Sequence, residues 1–403
     1  MCKIKIKNFG PIKQGMVDNE CIDIKKVTLF IGNQGSSKSS VAKLISTFSW
    51  MEKTLIRGDF QEKHFTEHNR FRKKYCAYHR IENYFFNEND EDVAEIEYVG
   101  QEYKFIYQEG KLVIEKNAGK QGELTQVMYI PAERNLVSSS KKAKQFKDFS
   151  PSLIDFVGEF DIAKQDIKEQ VKLPVNNVYV EYDRLNDTVN IKGVGYKVRL
   201  TEASSGFQAI VPLFLVSKYY ANLVKQQSEL GNENMSSDEK ERFKKEALNI
   251  WDTEGLSDEQ KRNLLSSLAK KFNKSAFINI VEEPEQNLFP TSQKELLYSL
   301  LELNNYNIGN KLVLTTHSPY IVNYLTVAIL AGKLKKDKPN ELDAIFPSKS
   351  TIDENDVAVY ELDEVTGIIN KLETYDGYPS DDNTLNLKLD EGNKTFSDLL
   401  RLL

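Results

Sequence analysis

The sequence predicts an α/β fold in which a mixed central sheet is joined by an antiparallel β subdomain and a helical insertion. Three observations predict it. Short, mostly apolar runs at 27–31, 127–130, 277–281 and 311–316 end in polar or turn residues, as buried parallel strands do. Alternating runs at 94–98, 103–107 and 111–115, parted by short turns, read as a β-meander. Between 218 and 273 the chain turns polar, with narrow apolar stripes at helical spacing.

Residues 1–48 form the first unit. Lys3 to Lys7 alternate, turn through Asn8-Phe9-Gly10-Pro11, and return through Cys21 to Ile24 as a small antiparallel sheet. The run Val27-Thr28-Leu29-Phe30-Ile31 then breaks at Gly32-Asn33-Gln34-Gly35-Ser36-Ser37-Lys38-Ser39-Ser40. It resumes as a helix with Val41, Leu44, Ile45 and Phe48 on one face. Strand, glycine-bearing loop, Lys-Ser and helix make the context of a phosphate-binding loop. In that chemistry backbone N–H groups from Gly32 to Ser40 wrap a β-phosphate, Lys38 reaches the β and γ oxygens, and Ser39 ligates Mg²⁺. Ser37 stands where the pattern wants glycine. A strand-turn-helix with a chance Lys-Ser is the alternative.

Residues 49–125 read as a lid-like insertion, polar and helical first, then the meander. Within it His64, His68, Cys76 and His79 crowd together, His64 and His68 one helical turn apart. Zinc ligation is one reading of that spacing and a polar helix face the other. Arg70, Phe71, Arg72, Lys73, Lys74, Tyr75, Tyr78 and Arg80 interleave charge and rings, as a nucleic-acid grip or an ordinary solvated helix does.

The core resumes over 126–217. Val127-Met128-Tyr129-Ile130-Pro131 is a buried strand with Glu133 and Arg134 at its tip, a ligand position in open α/β sheets or simply a tip salt bridge. Lys141, Lys142, Lys144 and Lys147 make a basic run, and 178–191 a hairpin. Thr201 to Gln208 then precedes an apolar run. Its serines can cap a core helix, or that helix start can point N–H groups at an anion.

Residues 218–274 form the helical insertion, with capping boxes at Ser236/Glu239 and Ser257/Gln260. Residues 275–335 return to the core. Phe277 to Val281 runs into Glu282-Glu283-Pro284-Glu285, where one acid can orient magnesium through its water shell (Glu282) and the next position the attacking water (Glu283). Strands also end in acids for no catalytic reason. Lys311 to Thr316 delivers His317 at its tip, for a γ-phosphate or for a local hydrogen bond. The tail, 336–403, reads as a loop-rich C-terminal subdomain with a few strands, Ser380 to Asn383 a turn.

These four stretches occur in the order of the ATP-binding-cassette ATPases, which the chain resembles over most of its length. More narrowly it is similar to the SMC-like branch, including the overcoming-lysogenisation ATPases and the ATPase subunits of bacterial anti-phage systems. The Glu-Glu-Pro-Glu run with Asn287-Leu288-Phe289-Pro290, Thr315-Thr316-His317-Ser318-Pro319, and Tyr129 to Arg134 carry that likeness. The resemblance implies two chains facing head to tail. Each ATP would be held by Lys38 and Ser39 of one and by Ser204, Ser205, Gly206 and Gln208 of the other, with Glu283 polarising water and His317 contacting the γ-phosphate. Phe289, where relatives often carry histidine, departs from the pattern, as Ser37 does.

Bulk numbers bound the function. A net charge of −6 over 403 residues argues against a surface that grips nucleic acid as a whole. Three cysteines without framework spacing suit a reducing cytosol, and no signal peptide or membrane span is expected. No carboxylate cluster beyond His317 suggests a nuclease site. The expectation is therefore a cytosolic ATP-hydrolysing switch, a homodimer or higher oligomer, acting on a separately encoded effector in anti-phage defence. A DNA-binding repair ATPase is the second reading; a transport cassette and a scaffold that never hydrolyses are further ones.

Overall fold

The computed structural model describes residues 2–117, 122–139, 149–230, 237–253 and 274–402, with positions 261, 264, 265, 268 and 272 between the last two spans. Four strands open the chain: β1 (Cys2–Lys7), β2 (Gly15–Met16), β3 (Ile22–Ile24) and β4 (Val27–Gly32). Every residue of β4 is buried, as a strand covered on both faces requires. Helix α1 (Lys38–Arg57) follows and buries Val41, Leu44, Ile45 and Phe48. After the short α2 (Glu62–Thr66) the chain winds through a π-helical segment, Phe71–Cys76.

The meander is present as β5 (Glu95–Val99), β6 (Tyr103–Gln108) and β7 (Lys111–Lys116). β5 pairs with β1, so the insertion and the N-terminal strands share one antiparallel sheet, ordered β3-β1-β5-β6-β7. Next come β8 (Thr125–Ile130), α3 (Asn135–Ser139) and α4 (Pro151–Gln165), the last capped by the Ser150 hydroxyl. A second antiparallel sheet, β12-β11-β10-β9, gathers β9 (Val171–Lys172), β10 (Tyr179–Asp183), β11 (Thr188–Gly193) and β12 (Tyr196–Arg199), which includes the expected hairpin.

Helix α5 (Ser205–Leu230) runs unbroken through Pro212 and across residue 218, where the helical insertion was expected to begin. Its segment Ser205–Glu229 is long and apolar enough to cross a membrane by length and composition; 67% of the most apolar stretch is buried in the fold, as in a core helix. Helix α6 (Ser237–Asp252) then packs Phe243, Ala247 and Ile250 against Leu268 and Phe272, so the two predicted stripes meet. Ser236 of the first predicted capping box, the whole of the second (Ser257/Gln260) and the basic run at 141–147 lie outside the described residues.

The chain returns through β13 (Ala276–Glu282), α7 (Pro290–Asn304), β14 (Lys311–Thr316), α8 (Pro319–Asp337) and the short α9 (Pro339–Asp343). Beyond lie β15 (Val357–Leu362), β16 (Ile368–Lys371), a small hairpin, and α10 (Thr384–Leu400). The tail is therefore more than loops. β15 lies in the middle of the seven-stranded sheet β2-β16-β15-β4-β14-β13-β8, and Asn383 caps α10. From β15 to β8 that sheet is parallel, while β16 runs antiparallel to β15, which makes it mixed as predicted. Two hydrophobic cores sandwich it. α4, α5, α7 and α8 cover one face with Leu29 and Ile31 pointing into it; α1 and the first antiparallel sheet cover the other with Phe30.

Candidate functional site

Parallel pairing brings the carboxyl ends of β4, β14, β13 and β15 level. Thr316 pairs with Ile31, Thr315 with Glu282, and Leu362 with Gly32. Open α/β sheets keep ligands at that edge. Three of the four predicted stretches meet there.

Gly32 sits at φ 141°, and a Cβ would fall 2.3 Å from the Leu362 carbonyl oxygen, so the turn out of β4 has room only for glycine. The loop runs over exposed Asn33, Gln34 and Gly35 to buried Ser36 and Ser37, and α1 opens at Lys38. Asn33 donates from Nδ2 to Glu364 at 2.8 Å. Lys38 folds back on its own loop, donating to the carbonyls of Gly32 (2.9 Å) and Asn33 (2.8 Å). Burial pushes its amine down to about 8, with Glu283, Glu285, Glu364 and Glu282 holding it from falling further.

Ser37 occupies the left-handed region at φ 73°, and its buried hydroxyl has no hydrogen-bond partner. The missing glycine is thus felt as backbone strain and an unsatisfied oxygen. A non-glycine residue there costs roughly 1–2 kcal/mol, partly offset by the roughly 0.5–1 kcal/mol of chain entropy glycine loses on folding. Ser37→Gly should accordingly raise stability by about 1 kcal/mol. A urea midpoint at or below that of the natural protein would count against strain at this position.

Glu282 ends β13 at 3% exposed; its Oε2 accepts from the Ala132 amide, and its Oε1 has no partner. Burial raises its carboxyl, while Lys43, Tyr129 and Ser39 pull it back. Glu283 follows at φ 43°, a backbone value that bulky residues rarely adopt. Its amide donates to the Thr315 carbonyl at 2.9 Å. Its carboxylate lies 3.5 Å from His317 Nε2, and that contact, ahead of the opposing burial, holds the carboxyl below its ordinary range. The other ring nitrogen, Nδ1, is 3.4 Å from Lys38 Nζ. An ammonium has only donors, so Nδ1 accepts and Nε2–H faces Glu283. Lys38, His317 and Glu283 form one chain of contacts.

Two residues the sequence reading left without a firm role hold this arrangement. Arg134, fully buried, donates to the carbonyls of Glu282 and Glu283 at 2.6 Å each, and also to Pro131 and Ala209. Burial lowers its guanidinium to about 10. It is a clamp on backbone, not the tip salt bridge of the alternative reading. Glu285 accepts from the His317 amide at 2.7 Å and fixes where the imidazole begins. An acid-rich strand end gave a hint of Glu285; carbonyl clamping by Arg134 leaves no mark in a sequence.

The serine-glycine stretch sits at the start of α5, where Ser204 and Ser205 are exposed. Gly206 packs so closely that a Cβ would lie 2.8 Å from the Asn287 carbonyl. Gln208 turns inward, donating to the carbonyls of Thr201 and Ala203. Phe289, at the N-cap of α7, is 75% exposed.

The insertion's histidines do not build a metal site. His68 lies at φ 57° in a separate turn, so His64 and His68 do not share a helix face. His64 bonds the Tyr75 hydroxyl at 2.8 Å, and Cys76 and His79 are buried. Among the described residues no cluster of three His, Cys, Asp or Glu could hold a metal ion. The ring-and-charge run is also no open grip. Phe71 and Tyr75 are buried, and Arg72 stacks over Phe86.

Residues 27–323, more than half of the chain, match the family model described as "AAA domain, putative AbiEii toxin, Type IV TA system". No curated protein matches. Solved structures with similar folds include the SMC head domain from Thermotoga maritima, at 11% identity and TM-score 0.38, covering 93% of this chain and 98% of that one. The recombination mediator protein RecF matches at 12% identity and TM-score 0.32, covering 92% and 97%. A nucleotide-free cassette from an ABC transporter matches at 11% and 0.28, covering 94% and 93%. With the glycine-loop strand, the acid-ended strand and the histidine-ended strand side by side in one sheet, the chain belongs to this AAA-domain family.

Proposed function

We propose that the protein is an ATP-hydrolysing switch that closes head to tail with a second copy across ATP and controls a separately encoded effector in cytosolic anti-phage defence. The observation that carries the chemistry is the contact chain Lys38–His317–Glu283 at the level ends of β4, β14 and β13. Lys38 would leave its loop carbonyls for the β and γ oxygens of ATP. Glu283, held ionised beside His317, would take the proton of the attacking water. His317 would report the γ-phosphate by exchanging its bond to Lys38.

Mg²⁺ fits the residues present. Glu282 Oε1 is buried without a partner, and the Ser39 hydroxyl lies beside that carboxylate. Those two groups would hold the ion, which when bound neutralises charge on the phosphates. The exposure of Ser204, Ser205 and Phe289 supports a second copy meeting the nucleotide from outside, the α5 N-terminus supplying N–H donors. The family description, a putative toxin of a type IV TA system, supports action together with a separately encoded partner.

Sedimentation with Mg·ATP tests the pairing: the natural chain should dimerise or go higher, and Lys38→Ala should stay monomeric. Affinity capture from the native host should bring one effector; recovery of duplex DNA alone, lost as salt rises, would favour the repair reading instead.

The lowered amine of Lys38 gives a pH prediction. The free protein releases that proton on passing about 8, and phosphate contact restores it. ATP binding should therefore take up roughly half a proton per site near pH 8, and affinity should fall as pH rises further. Titration calorimetry in buffers of different ionisation heat measures the uptake. Lys38→Arg, which does not titrate in this range, should abolish it.

A further inference from the structure

On the flank of the central sheet, behind α1 rather than at its phosphate-loop end, lies a cavity of about 470 Å³. That is within the size range of small-molecule sites. One wall is aromatic: Trp50 packs against Tyr75 at 5.4 Å and Phe60 at 6.2 Å between ring centres. Lys53 from α1 and Lys74 from the π-helical segment bring positive charge, with Lys53 donating to Gln126 at 3.2 Å. Asp155 lines it from α4 and accepts from the Tyr78 hydroxyl at 2.8 Å. π-helical turns are rare and concentrate at functional sites.

A second observation points to a ligand. His79 lines the cavity at 2% exposed, and its Nδ1 has no hydrogen-bond partner. Burial lowers it to about 3, so this is a neutral imidazole with an unmet hydrogen-bonding atom. A planar ring system can stack on Trp50 and bond His79, while an anionic group suits Lys74. Two rings of the charge-and-ring run, Tyr75 and Tyr78, thus line a partly open cavity of small-molecule size.

We propose that this cavity binds one nucleoside monophosphate, base on the aromatic wall and phosphate toward the lysines, and that its occupancy alters turnover at the ATP site. Two elements connect the sites. α1 begins with Lys38 and Ser39 and passes Ser46, Thr47 and Trp50 along the cavity. β8 lines it with Tyr129, against which the His79 ring packs at 4.5 Å and whose hydroxyl neighbours Glu282. The coupling rests on the ATP-switch reading; the binding does not.

Calorimetric titration of the full chain with AMP, GMP, CMP and UMP, magnesium omitted, tests the binding. At least one should bind with a Kd below about 1 mM. Lys74→Glu and Trp50→Ala, both at solvent-accessible positions, should each weaken it about tenfold or more. Lys38→Ala should retain it. Absence of binding by all four overturns the proposal. So does binding that disappears in Lys38→Ala yet survives Lys74→Glu, since the ligand then sits in the phosphate loop. Saturating monophosphate should change the ATPase rate of the natural chain; an unchanged rate overturns the coupling. Mg·ATP titration of the same samples reports on the phosphate loop separately.

Discussion

Glu283→Gln is expected to lower steady-state ATP hydrolysis by about 10²–10³-fold while ATP remains bound and the paired form accumulates. The substitution keeps shape and hydrogen-bonding reach but removes the base, and the 3.5 Å approach to His317 can persist with an amide oxygen. Lys38→Ala should act at the earlier step. It deletes the cation that now binds the Gly32 and Asn33 carbonyls, and nucleotide affinity should fall below detection. The two variants therefore diverge, one trapped with ATP and one empty. Filter binding of labelled ATP with a phosphate-release assay separates them. Natural-level hydrolysis by both would overturn the site.

Arg134→Leu should have the other large effect, on stability as well as turnover. Arg134 is fully buried and donates to four main-chain carbonyls, including those of Glu282 and Glu283. Leucine fills much of the space but leaves those acceptors without donors. Buried charged hydrogen bonds contribute about 1.5–3 kcal/mol each and do not add fully, so a loss on the order of 3 kcal/mol or more is expected. Glu283 also depends on the clamp for its unusual backbone angle. Urea denaturation and ATPase rate should fall together. A variant as stable as the natural chain but inactive would make Arg134 a purely functional group.

Much of this was legible in the sequence for a physical reason. β4, β13 and β14 are buried on both faces, so their sequences are continuous apolar runs that stop where the chemistry starts. The meander showed itself by alternation. What stayed hidden depends on long-range partners. β15 is a short apolar run whose role comes only from pairing with β4, over three hundred residues earlier. α10 has no buried residue, and only the capping Asn383 announces it. His64 and His68 looked like one helix face because nothing local marks the left-handed turn at His68.

The placement of β15 has a consequence for synthesis. β4, which launches the phosphate loop, is flanked by β14 and β15, both made late. A nascent chain halted before 357 leaves one border of β4 bare, a template for sticking to other chains. It would also lack the Leu362 carbonyl against which Gly32 turns. A product that stops before β15 therefore lacks one wall of the loop between β4 and α1.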